Sequence, residues 1–170
     1  SSSRSISASQ IAHATREHLH PRENQNPRYK RLSERVTDIV ERWQGEDISD
    51  PEAVEALKSV ENETLAVETE AEKKGMEAAE FAIYTHLTEE TPNAIESNGE
   101  AEEVAEAIVT QFEERVDTGY AGWQTNQQTI GEIERILLDV LVVQHDLGHL
   151  IQEEDGFVDD IRNYIIQNNV

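Results

Sequence analysis

The sequence predicts an all-α chain, an irregular bundle of about six or seven helices. Apolar residues recur every three to four positions through most of it, the spacing of one helix face. No stretch alternates apolar and polar residues in the way a half-buried strand requires. Pro21, Gly45 and Gly75 fall where the periodic segments stop, as expected of residues that interrupt helices.

A first helix is expected from about Ser7 to His18, with Ile11, Ala14 and His18 on one side. Pro21 cannot continue it, because proline lacks the amide N–H and its ring clashes with the preceding turn. "RENQN" reads as a polar loop. A second helix opens at Pro27 and carries the stripe Tyr29, Leu32, Val36, Ile39, Val40 and Trp43 before Gly45. The third starts with Asp50 as N-cap, Pro51 at the first helical position and Glu52 in the first turn. Val54, Leu57, Val60, Thr64 and Val67 follow at helical spacing, and Gly75 marks its stop.

A short helix over "EAAEFAIYTHL" offers Phe81, Tyr84 and Leu87 for burial, and "TEETPNAIESNGE" is the longest break. Ser97 followed by Glu100 is a capping-box signature. The helix behind it repeats Val104, Ile108, Phe112 and Val116. "DTGYAGWQ" is a turn with two glycines and two aromatics. Thr125 is expected to cap a long helix bearing Ile130, Ile133, Leu137, Val140 and Leu141. Phe157, Ile161, Tyr164 and Ile165 make a closing amphipathic helix. The apolar faces of such helices must pack on one another.

The 170 residues suffice for one domain with a real core. We read residues 1–10 as a linker or expression remnant and residues 11–170 as a single helical domain, the C-terminal fragment of a larger subunit. "SSSRSISASQ" has no apolar h-region, so a secretory signal is not expected there. The longest apolar run, Ile136 to Val143, is broken by Asp139 and is far too short to span a bilayer. A cytoplasmic protein with no membrane partner is the expectation. Without cysteine, disulfides and thiolate chemistry are excluded.

The formal charge is −22, from 36 Asp and Glu against 14 Lys and Arg. Apolar periodicity this regular argues against a disordered acidic tail. It favours a folded halophilic protein, whose charge repulsion concentrated salt screens. The charge is uneven: residues 1–45 carry a net +3 and residues 46–170 a net −25. The positive stretch either meets a partner or pairs with the acidic remainder of its own domain.

Four constellations are candidates for chemistry. In "HDLGH", His145 and His149 would share one helix face and could ligate a metal, with Asp146 in the general-base position of HExxH. Against this, the aspartate is short, Gly148 weakens the helix, and "DLG" reads as a helix stop. In "PRYKRLSERV", Arg28, Lys30, Arg31 and Arg35 could meet phosphates or an acidic protein surface. Glu34, Asp38 and Glu41 dilute that patch into ordinary helix ion pairs. In "YAGWQ", Tyr120 and Trp123 either stack bases or seal the end of a bundle. "EKK" at Glu72–Lys74 has the acid-x-lysine spacing of restriction-type nucleases, yet it lies on a helix, and that chemistry needs a strand-borne acid. Phosphate-binding and GxSxG motifs are absent.

"NPRYKRLSERVTDIVERW" resembles a signature of the C-terminal region of the restriction (motor and endonuclease) subunit of type I restriction–modification enzymes. "KKGMEAAEFAIYTHL", "AEEVAEAIVTQFEERVDTGYAGWQ" and "IGEIERILLDVLV" are similar to the segments that follow in that family, in the same order. The resemblance covers roughly residues 11 to 145. It places Pro27, Tyr29, Leu32, Tyr84, Leu87 and Trp123 on the family's packing positions. Asn26 stands for the usual aspartate, Gly122 for the acid before the tryptophan, and the closing helix lacks the family's basic charges.

The resemblance implies a helical docking domain without catalytic residues, cofactor or metal of its own. In such a subunit other domains bind ATP and Mg2+, translocate DNA and cut it, as a type I site-specific deoxyribonuclease. Its implied partners are the methyltransferase and specificity subunits, the motor domains of its own chain, and DNA through the holoenzyme. The alternative function is a helical module that contacts DNA directly through its basic N-terminal third.

Overall fold

Caps set where the helices of the first unit begin and end. Asn26, in extended backbone, accepts the Arg28 amide on its side-chain oxygen at 2.8 Å and opens a helix at Pro27. Asparagine caps as well as aspartate does. The third helix is capped by Ser49 rather than Asp50. The Ser49 hydroxyl accepts the Glu52 amide, and the Glu52 carboxylate bonds back to the Ser49 amide. Asp50 is thereby displaced into the first turn, where it accepts the Trp43 indole N–H at 2.7 Å. Gly75 ends the helix at φ +67, a left-handed conformation that costs glycine nothing.

The computed structural model describes the backbone of residues 2–169 and the side chains of residues 8–169. Arg4 of the basic stretch therefore lies outside the described side chains. The chain is all-α, with eight α-helices and no strand among the described residues. They are α1 (Ser2–Leu19), α2 (Pro27–Gln44), α3 (Asp50–Lys74), α4 (Ala78–Thr85), α5 (Asn98–Arg115), α6 (Gln127–Leu138), α7 (Gly148–Glu153) and α8 (Phe157–Gln167). Helix α1 runs through much of the segment read as a linker. Among the described residues no helix is long and apolar enough to cross a membrane.

The chain divides into two compact units, Ser1–Met76 and Glu77–Val170. In the first, α1, α2 and α3 pack pairwise around Leu19, Leu32, Val36, Leu57 and Val60, all buried. Each such aliphatic side chain contributes about 1.5–3 kcal/mol on leaving water.

In the second unit α4 packs on α5 and α8, and α6 packs on α5 and α8. Phe81, Ile83, Ile108, Ile133, Ile136 and Phe157 fill its core. Helices α4 and α6 each run on into wider, π-type turns, His86–Glu90 and Asp139–Gln144. Asn126 caps α6, its side-chain oxygen accepting the amides of Gln128 and Thr129. Thr125, the expected cap, instead closes the short 3-10 turn Trp123–Thr125 and bonds the Gly122 carbonyl.

Candidate functional site

Arg28, Arg31 and Arg35 are spaced three and four apart on α2, which places them on one side of the helix. They line a groove of about 340 Å³ with Leu32 and with Glu63, Ala66 and Val67 of α3. Leu32 and Val67 are buried and supply an apolar floor. Arg28 bonds the Glu70 carboxylate and Arg35 bonds Glu63, and both pairs bridge α2 to α3. The Arg28 hydrogen bond holds the Glu70 carboxyl below its ordinary range; partial burial opposes it, and the charges of Arg28, Lys74 and Lys73 add to it. Lys30 is exposed and takes no part in lining the groove.

The basic stretch is thus in large part an ion-paired seam within its own unit. Its sequence neighbours do the same: Arg42 pairs with Asp38 at 3.2 Å, and Ser33 bonds the Glu23 carboxylate. Burial, and next the Glu68 charge, push the Tyr29 phenol above its ordinary pKa, with Arg22 opposing. Tyr29 therefore stays neutral and packs.

The remaining residues singled out by resemblance lie in the cores. Pro27, Tyr29 and Leu32 are buried on α2, Tyr84 on α4 and Leu87 just beyond it. Trp123 is buried with its ring 5.9 Å from that of Phe112. Gly122 precedes it at φ +85, backbone that an acid would occupy only under strain. Tyr120 is exposed, and its hydroxyl lies 3.1 Å from that of Thr129.

The HDLGH pair does not share a helix. The run from α6 ends at Gln144, Asp146 adopts φ +54, and α7 begins only at Gly148. His145 caps the first element while His149 sits in the first turn of the second, so the i,i+4 geometry on which the metal reading rests is broken. Among the described residues no group of three or more His, Asp or Glu side chains is placed to hold a metal ion.

Sequence reasoning missed His86. It is buried, its Nδ1 lies 2.9 Å from the Tyr164 hydroxyl, and its ring meets Phe157 edge-on at 5.5 Å. The available signal was a titratable residue inside the apolar run "FAIYTHL". Also missed was a cluster of exposed aliphatic side chains at the end of α6. No protein-family model, curated protein or solved structure matches the chain.

Proposed function

We propose that the chain is the C-terminal assembly domain of the restriction subunit of a type I restriction–modification enzyme, from a halophile. In this reading the domain is non-catalytic. It supports the ATP- and Mg2+-dependent motor of its own subunit and docks that subunit onto the methyltransferase–specificity core in the cytoplasm. The supporting observation is the burial of Pro27, Tyr29, Leu32, Tyr84, Leu87 and Trp123. A family signature made of packing residues should behave that way, with recognition left to the outer faces. Gel filtration of the chain with purified methyltransferase–specificity core, in molar KCl, tests the proposal. Co-migration is expected; separate elution at micromolar concentrations of both would refute it.

Direct DNA contact through Arg28, Lys30, Arg31 and Arg35 is the second reading, favoured by the alignment of the three arginines along one groove. The carboxylates of Glu63 and Glu70, already bound to Arg35 and Arg28, stand against it. Titration of labelled duplex DNA separates the two. Phosphate contact weakens steeply with salt, and absence of binding at every salt concentration that keeps the chain folded eliminates it.

A further inference from the structure

Five large apolar side chains of the described residues are exposed, and three of them, Leu138, Val142 and Val143, stand together at the end of α6. Val143 is 78% exposed, Leu138 48% and Val142 44%. The wide turn Asp139–Gln144 follows directly after Leu138. Its hydrogen bonds skip an extra residue, as from the His145 amide to the Val140 carbonyl. Within it Val140 and Leu141 are buried, and the next two valines face solvent. Such π-type turns are rare and concentrate at functional positions. Clustered exposed aliphatics likewise mark contact surfaces.

The charge of the second unit identifies the kind of occupant. Residues 77–170 carry 21 Asp and Glu against three Arg, a net −18. All three arginines are committed inside the unit: Arg115 to Glu132 and Asp139, Arg135 to Glu132, and Arg162 to Glu134 and Asp159. A second copy of this unit would bring an equal negative charge and no uncommitted cation to the rim. A partner that is basic around an apolar centre would cover the aliphatic cluster and complement this net charge.

We propose that Leu138, Val142 and Val143 form a docking surface for a protein partner with an apolar knob ringed by Lys and Arg. Resting on the assembly reading above, this assigns the knob to the methyltransferase–specificity core.

The test compares the chain with its Val143→Glu variant for binding to that core at the lowest KCl concentration that keeps the chain folded, with Leu65→Glu as a control at an exposed leucine of α3. Residue 143 is so exposed that the substitution should leave the melting temperature unchanged. A loss of about tenfold or more in affinity for Val143→Glu, with Leu65→Glu unaffected, is the expected result. Because the chain has no cysteine, Val143→Cys also gives a unique label site, and a fluorophore there should shift to the blue when the core is added. Wild-type binding with Val143→Glu equally tight overturns the surface but spares the assembly reading. No wild-type binding overturns both. Self-association that Val143→Glu abolishes makes a second copy the occupant and overturns the choice of partner.

Discussion

His86 and Tyr164 are 78 positions apart in sequence, and their side chains meet at 2.9 Å between Nδ1 and the phenolic oxygen. The bond joins the wide turn after α4 to α8 inside the core of the second unit, with both residues buried. Phe157, also from α8, closes over the imidazole edge-on. Tyr164→Phe keeps the ring and removes this partner of a buried nitrogen. A loss of about 1–3 kcal/mol in unfolding free energy is expected. Denaturant titration of both proteins checks it, and an unchanged midpoint would mean the bond carries no stability.

Thr85 is fully buried, and its hydroxyl finds no hydrogen-bond partner among the described residues. Valine has the same shape without the polar atom. Thr85→Val is therefore expected to stabilise the second unit, by about 1 kcal/mol or more. Most core substitutions do the reverse, so a lowered melting temperature would show that the hydroxyl is satisfied after all.

Burial raises the pKa of Glu80, and the charges of Glu106, Glu113 and Glu102 raise it further, against a backbone hydrogen bond from Glu77. Glu113 is raised as well, by its hydrogen bond to Glu77 and then by the Glu77 charge. A carboxyl whose folded pKa lies above its unfolded one favours folding below the unfolded value. That advantage is lost as pH rises through the folded value. Glu80→Gln should accordingly melt higher than the parent at neutral pH, and the two should converge as pH falls through the carboxyl range. Melting curves between pH 7 and pH 4 decide it; a gap that widens on acidification would reverse the sign.

Residues 1–76 carry 11 Lys and Arg against 15 Asp and Glu, a net −4, whereas residues 77–170 carry −18. Self-repulsion grows as screening is withdrawn, so the second unit should unfold first when salt is removed. Each unit contains one tryptophan, Trp43 and Trp123. Their indole N–H resonances report the two units separately by NMR. The Trp123 signal is expected to collapse at a higher salt concentration than that of Trp43, and simultaneous loss would contradict this.

Stripes of burial were readable from period alone: Leu32, Val36, Ile39 and Val40 lie inward on α2 as their spacing requires. Cap positions were readable only to within a residue. Ser49 and Asp50, or Thr125 and Asn126, are neighbours of which either can cap, and the extended backbone at Ser49 and Asn126 decides the matter. The wide turns after α4 and α6 were not readable, because an extra residue in the hydrogen-bond register leaves the apolar pattern almost unchanged. Nor did 36 acids indicate which two, Glu63 and Glu70, would meet the arginines of α2. The break inside HDLGH was half visible: "DLG" read as a stop, and Asp146 carries the positive φ there.

The most direct test of the proposed assembly role uses the motor subunit proposed as parent, with and without residues 10–170, offered to the methyltransferase–specificity core in molar KCl. Loss of co-purification on deletion, with ATP hydrolysis by the remaining motor retained, is the result expected. Full retention of docking by the truncated subunit would contradict the assignment.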